Sequence, residues 1–221
     1  MKRLLSFIVS LIGVTFLTGI LPGCAPKEEV LFNGKDLTGW VWFTKDADAS
    51  VVPDALEDTV EKAPAEECFS VKDGALHVSG TPFGYIRTEK EYGDCTLHVE
   101  WRWVEGRVDS GIFVFLQDED KIWPTGIQLQ LRESDFGYLF SGLKLEGVEG
   151  PFCRKAPLCV EDPELEDGLW NETVIVCKAG HITASVNGVL VNEAQCKASE
   201  GYFGFQSEGG PIEFRNIRIT Y

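Results

Sequence analysis

A strand near the middle of the chain carries side chains of the kinds that bind sugars. Residues 123–132 read Trp-Pro-Thr-Gly-Ile-Gln-Leu-Gln-Leu-Arg. Because side chains alternate between the two faces of a strand, the aliphatic residues share one face, and Gln128, Gln130 and Arg132 share the other. Amides and guanidinium groups hydrogen-bond sugar hydroxyls, and a ring such as that of Trp123 stacks on a pyranose face. The pattern predicts a carbohydrate-binding face, and the alternative is an ordinary solvated sheet face.

A second alternating strand supplies a candidate carboxylate. In residues 95–104, Glu100 and Arg102 share one face. If this strand and the Gln128 strand lie in one sheet, both side chains line the same groove as Gln128. Glu100 is then a candidate general base or metal ligand. The alternative is a structural salt bridge to Arg102 or Arg132.

Three further residues are candidates for the same site. Asp109 stands at a predicted turn and is a candidate catalytic carboxylate, although Asp is also common at turns for local hydrogen bonding. Gln206 is expected on the polar face, since its neighbour Phe205 must face the core. Tyr138 is a candidate stacking platform together with Trp123.

Composition excludes some partners and is neutral about sugars. The chain has 221 residues, a net charge of −15 and a pI of about 4.6. A nucleic-acid backbone is bound through Lys and Arg, so the charge argues against nucleic acid and against an anionic membrane surface. A neutral carbohydrate needs no such charge. The many Gly and Phe residues and the absence of long helical runs indicate an all-β protein.

The N-terminus has the pattern of a bacterial lipoprotein signal. A positive start and an apolar run precede Cys24, so we expect residues 1–23 to be a signal peptide and Cys24 to be lipidated. Residues 24–30 then form a tether. The protein is expected in the cell envelope, held at the membrane only through this lipid. The alternative is an apolar segment retained as an anchor.

Residues 31–221 are predicted to form a single β-sandwich domain with two long acidic loops, 44–67 and 149–168. Asp73-Gly74 and Asn187-Gly188 predict hairpin turns. The stretch 110–116 is apolar throughout and predicts a central strand. Six cysteines follow Cys24, which permits disulfides outside the cytoplasm. The pair most favoured by its spacing is Cys153 with Cys159.

Other enzyme classes lack their motifs. The chain has no nucleophile elbow, phosphate loop or dinucleotide fingerprint. An ordinary retaining glycosidase needs two carboxyl groups about 5–5.5 Å apart. The polar face of the 127–132 strand has none, which argues against that class.

Six segments, taken in order, carry a resemblance to a known family: 31–40 (LFNGKDLTGW), 109–113 (DSGIF), 123–131 (WPTGIQLQL), 170–171 (WN), 186–188 (VNG) and 204–217 (GFQSEGGPIEFRNI). Together they resemble the 3-keto-disaccharide hydrolase domain family, also catalogued as DUF1080 and common in lipoproteins of Bacteroidetes. The resemblance spans residues 31–221.

The resemblance implies a concanavalin-like jelly-roll β-sandwich of two antiparallel sheets with a concave carbohydrate groove. It implies action on sugars oxidised at C3, whose C2 proton is acidic enough for the glycosidic bond to break by elimination and water addition. Such chemistry needs a base near C2, an electrophile or metal at the carbonyl, and an acid for the leaving oxygen. The resemblance also implies a divalent metal in some members.

The chain departs from the family pattern at Gln128, where the family usually has Glu. An amide cannot act as a base at neutral pH. Two functions therefore remain open. One is a hydrolase or lyase for 3-keto-disaccharides, and the other is a non-catalytic carbohydrate-binding lipoprotein.

Overall fold

The computed structural model describes residues 27–44, 65–117, 123–150 and 152–221. Within these ranges the helical structure is limited to one turn of α-helix, α1 (Ala65–Cys68), and one 3₁₀ turn (Glu133–Asp135). The strands are β1 (Glu28–Val30), β2 (Trp40–Thr44), β3 (Phe69–Lys72), β4 (Ala75–Val78), β5 (Gly84–Thr88), β6 (Cys95–Trp103), β7 (Gly111–Leu116), β8 (Ile127–Gln130), β9 (Leu139–Ser141), β10 (Cys153–Lys155), β11 (Asn171–Lys178), β12 (His181–Val186), β13 (Val189–Gln195), β14 (Tyr202–Ser207) and β15 (Ile212–Thr220).

The described strands form two antiparallel sheets. Sheet A has the order β13-β12-β11-β6-β15-β4-β3, and β1 also pairs with β15. Sheet B has the order β10-β9-β8-β7-β14-β5-β2. The chain repeatedly crosses from one sheet to the other, which is the arrangement of a jelly-roll β-sandwich. The predicted all-β fold class is therefore confirmed.

Large aromatic side chains fill the space between the sheets. Trp101 and Trp103 on β6 are fully buried, with ring centroids 6.0 Å apart in an edge-on contact. Phe205 on β14 stacks on Phe214 of β15 at 4.2 Å and so joins the two sheets. Burial alternates along β6, as the sequence predicts, because one face meets this core and the other meets solvent.

The predicted central strand and both hairpins are present. β7 is buried along its whole length and is the middle strand of sheet B. Asp73-Gly74 joins β3 to β4, and Asn187-Gly188 joins β12 to β13. All four turn residues have positive φ, which Gly and Asn tolerate better than other residues.

The loop 149–168 and the cysteines differ from their predictions. The predicted acidic loop 149–168 contains the short strand β10. The expected Cys153–Cys159 disulfide is not formed, since all six cysteines after Cys24 are free thiols, five of them buried as small apolar side chains. Cys24, the predicted signal peptide and most of the predicted loop 44–67 lie outside the described residues. Within the described chain, no helix reaches the length and hydropathy of a membrane span.

Asn192 joins sheet A to the edge of sheet B. Its buried Nδ2 donates to the carbonyl oxygens of Gly137 (2.9 Å), Lys155 (3.2 Å) and Ala156 (3.1 Å). We expect Asn192→Leu to lower the free energy of unfolding by about 2 kcal/mol, because one buried and two part-buried carbonyls lose their donor. Urea unfolding measures this loss. A control, Thr183→Val on the half-exposed face of β12, should stay within about 0.5 kcal/mol; equal stability of the two variants would contradict the prediction.

Candidate functional site

Three glutamines meet on the outer face of sheet B. Gln128 Nε2 donates to Gln130 Oε1 at 2.8 Å and to Gln206 Oε1 at 2.7 Å. Gln128 lies on β8 and Gln206 on β14, with β7 between them. The side chain of Gln128 crosses β7 over Gly111, where an added Cβ would collide with the Gln128 amide. Glycine at position 111 therefore allows a side-chain hydrogen bond between β8 and β14, the two strands that flank β7.

Two carboxyl groups border this glutamine cluster. Gln206 Nε2 donates to Glu208 Oε2 at 2.7 Å. Asp109 forms isolated backbone bridges with Glu208 and Gly209, which places the two acids side by side. Asp109 is buried, and its Oδ1 has no hydrogen-bond partner, whereas Glu208 is half-buried. Glu208 is therefore the carboxyl group that a ligand on this face can reach.

Arg132 fixes the position of the buried acid. Its Nη1 donates to Asp109 Oδ2 at 3.0 Å. Its Nε and Nη2 donate to the two carboxylate oxygens of Asp135 at 2.8 and 2.6 Å, a bidentate pair. Asp135 is held by the 3₁₀ turn that follows β8, so the end of that strand sets the whole arrangement.

Burial and mutual repulsion raise the pKa values of Asp109 and Glu208 toward neutral pH. Burial, opposed by Arg132 and reinforced by Asp135, raises the pKa of Asp109 to about 6. Burial, reinforced by Asp109 and opposed by Arg132, raises the pKa of Glu208 to about 7. The pKa of Asp135 is lowered, chiefly by its hydrogen bonds with Arg132. Glu208 can therefore both accept and donate a proton near neutral pH, which is what a general acid–base group requires.

A row of aromatic rings forms one side of the site. The rings of Tyr138 and Phe140 stack at 6.2 Å, and those of Phe140 and Phe152 at 6.1 Å. The Arg154 guanidinium lies 4.5 Å from the centroid of the Tyr138 ring, and its Nη2 is 3.5 Å from Asp135. Phe152 and the Arg154 side chain are more than half exposed. These groups can stack on sugar rings and hydrogen-bond their hydroxyls.

The structure brings together most of the predicted site residues: Asp109, Gln128, Gln130, Arg132, Tyr138 and Gln206. Trp123 is 56% exposed and precedes β8. Its predicted role in stacking on a sugar stays a prediction.

The predicted placement of Glu100 and Arg102 beside Gln128 is wrong. β6 belongs to sheet A, and both side chains lie on the outer face of that sheet. Glu100 accepts hydrogen bonds from Arg215 Nε (2.7 Å) and Asn216 Nδ2 (2.6 Å). Arg102 pairs with Glu213 at 2.8 Å. The alternation along β6 predicts which side chains share a face, but it does not say which sheet the strand joins.

Four residues of the site were not among the predicted ones: Glu208, Asp135, Phe140 and Arg154. Glu208 had one signal in the sequence, since it follows Gln206 by two residues and so continues the polar face of β14. Phe140 likewise follows Tyr138 by two. Asp135 lies just after the Gln128 strand and so within reach of its rim, but its place in the sequence favoured a solvated loop residue. Arg154 carried no comparable pattern, because a separate short strand brings it to the site.

The donor set at this face does not fit a metal ion. Metal ions that bind oxygen ligands need several carboxylates or carbonyls directed at one point. Among the described residues, no group of three or more His, Cys, Asp or Glu side chains has such geometry. The Asp109 and Asp135 carboxylates are bound by Arg132. Side chains are therefore the groups available for proton transfer at this face.

The fold is a jelly roll of the kind found in glycosyl hydrolases. More particularly, the chain belongs to the family described as the 3-keto-alpha-glucoside-1,2-lyase-like domain, which matches residues 27–220. The resemblance in the sequence is therefore confirmed.

Solved structures from several bacteria share the fold. A candidate glycosyl hydrolase from Parabacteroides distasonis is 21% identical, with a TM-score of 0.62 over 87% of this chain and 93% of that one. A carbohydrate-binding module from Bacillus subtilis is 12% identical (TM-score 0.55; 83% and 97% covered). A Bacillus licheniformis beta-glucanase is 14% identical (TM-score 0.55; 89% and 97%). A comparison with curated protein sequences found no match.

Proposed function

We propose that the protein cleaves glycosidic bonds of 3-keto-glycosides on the outer face of sheet B, with Glu208 as the proton-transfer group. The observation that supports this most directly is the half-buried Glu208 carboxyl. It borders the glutamine cluster and stands beside Asp109, and its pKa is raised to about 7. A carboxyl group with these properties supplies the base that the amide of Gln128 cannot.

The proposed reaction needs one proton shuttle. The Glu208 carboxylate takes the C2 proton of the keto-sugar, and the C–H electrons form an enolate with the C3 carbonyl. The enolate collapses to a C1–C2 double bond, the C1–O bond breaks, and Glu208 returns its proton to the leaving oxygen. Water then adds to C1, giving its proton to Glu208, and C2 is reprotonated. The net reaction is hydrolysis, without oxidation or reduction.

Neighbouring groups have supporting roles in this proposal. The Asp109 carboxylate keeps the pKa of Glu208 high, because two close carboxylates repel each other. The guanidinium groups of Arg132 and Arg154, both more than a third exposed, supply positive charge near the developing enolate. The aromatic row beside them binds the sugar rings.

Turnover of a defined substrate tests the proposal. A 3-keto-disaccharide and its unoxidised parent are incubated with the protein, and the released monosaccharides are separated by chromatography. We expect release from the keto-sugar only, because only its C2 proton is acidic. Equal release from both sugars, or release from neither with and without added divalent metal, would refute it.

Carbohydrate binding without catalysis is the second candidate function. Two observations favour it: Gln128 replaces the carboxylate of the family pattern, and the fold matches that of a carbohydrate-binding module. The two functions differ in one measurable respect. A binding protein retains the keto-sugar intact at equilibrium, as isothermal titration followed by recovery of the ligand shows, whereas an enzyme converts it.

The aromatic row should contribute to binding under either function. We expect Phe140→Ala to weaken sugar binding roughly three- to tenfold, since a lost stacking contact is worth about 0.5–1.5 kcal/mol. The KM, or the Kd if there is no turnover, measures the effect. Tyr221→Ala is the control, because Tyr221 is an exposed ring that pairs with Lys27 at the end of β15, outside the site. An equal effect in both variants would contradict the assignment.

A further inference from the structure

The hydrogen bonds around Gln128 run in one direction. Gln206 Nε2 donates to Glu208 at 2.7 Å, which is the orientation that the ionised carboxylate requires, because an ionised carboxylate only accepts. The Gln206 Oε1 then faces Gln128, which donates to it at 2.7 Å. Gln128 also donates to Gln130 Oε1 at 2.8 Å, and the Gln130 amide favours the ionised form of Asp109. Both hydrogen bonds, to Gln206 and to Gln130, therefore require a donor at position 128.

We propose that Gln128 is a positioning residue that orients the Gln206 amide and thereby sets the protonation of Glu208. A carboxylate at position 128 would reverse this order. It would accept from Gln206, whose Oε1 would then face Glu208, and two acceptors can share a hydrogen bond only if Glu208 takes up a proton. A hydrogen-bond donor at position 128 therefore favours the ionised form of Glu208, the form that takes up a proton. The role of Gln128 in catalysis rests on the proposed function.

The packing leaves the side chain of residue 128 little choice of position. Gln128 is buried and lies directly over Gly111, so a residue of the same length must point to the same two amides. The charged groups facing Glu208 are Asp109 and Arg132, and Arg132 is held by its bidentate pair with Asp135. Exchanging Gln128 for Glu therefore changes one group while these charges stay in place.

The test reads the carboxyl groups directly. Side-chain ¹³C carboxyl resonances of the substrate-free protein are followed by NMR from pH 4 to 9, with Glu208 assigned by its disappearance in Glu208→Gln. In Gln128→Glu we expect the Glu208 midpoint to rise by about one pH unit or more, because it loses a donor and gains a neighbouring negative charge. In the nearly isosteric Gln128→Met, the Glu208 midpoint should rise less, because the amides of Gln130 and Gln206 lose their donor but no negative charge is added.

Gln117→Glu is the matched control, because Gln117 bonds the carbonyl oxygen of Phe115 outside the cluster. It should leave the Glu208 midpoint unchanged. A Glu208 midpoint that stays in place in both Gln128 variants, or that rises equally in Gln117→Glu, would overturn the inference. The titration needs no substrate, so a lack of turnover and a lack of a shift are separate results that bear on the proposed function and on this inference, respectively.

Discussion

Glu208→Gln should abolish most turnover of a 3-keto-disaccharide, with kcat falling about 10²- to 10⁴-fold, the range that a general acid–base group contributes. The amide has nearly the same shape as the carboxyl and still accepts a hydrogen bond from Gln206 through its oxygen, so the site should keep its form. Steady-state kinetics measures the loss. The KM should change little, because the proton-transfer group acts mainly in the transition state.

The matched control is Glu172→Gln, which removes an exposed carboxylate from β11 of sheet A and should leave kcat unchanged. Asp109→Asn gives a separate signature. Because the Asp109 charge helps to raise the pKa of Glu208, its removal should lower that pKa and move the corresponding limb of the pH–rate profile to lower pH. A full kcat in Glu208→Gln would exclude the proposed role of this residue.

The second large effect is expected on stability, in Arg132→Met. Arg132 pairs with both Asp109 and Asp135, and removing it leaves the buried Asp109 carboxyl without a cation and the buried Asp135 carboxyl with Arg154 alone, 3.5 Å away. Breaking a buried pair costs about 3–5 kcal/mol. Arg132 is itself 43% exposed, so we expect a loss near the lower end, about 3 kcal/mol, in urea unfolding at pH 7.

The pH dependence of this loss has a defined sign. Without Arg132, the already raised pKa of Asp109 should rise further, and the pKa of Asp135 should rise from its lowered value to above that in the unfolded chain. The folded state then binds more protons, so the variant should regain stability as the pH falls through these raised pKa values. Arg218→Met, which breaks an exposed pair with Glu28, should cost at most about 1 kcal/mol. Equal losses in the two variants would contradict a structural role for Arg132.

The sequence alone was sufficient to predict the fold class. Alternation along β6 and β8, the apolar run of β7 and the two hairpin turns are local properties, because the period of a strand and the φ of a turn residue depend on near neighbours. The family segments, taken in order, were sufficient to predict the family, which matches residues 27–220.

Tertiary structure decided which of the candidate side chains meet. Glu100 and Gln128 have the same kind of alternating pattern, yet they lie on opposite sheets, since the pairing of strands depends on contacts between segments far apart in the chain. Glu208 resembles an ordinary turn residue until β14 places it beside Asp109. Its raised pKa also depends on the fold, because burial and a neighbouring charge are properties of the assembled site.

The strand around Gln128 shows both contributions. Its polar face could be predicted from its own ten residues, because side chains alternate along any strand. The directions of its hydrogen bonds could not, since they depend on Gln206 and Glu208, which are 78 and 80 positions away, and on the space above Gly111. Residue types thus predicted which strand carries the polar face, and the packing of distant strands determined which carboxyl groups border it.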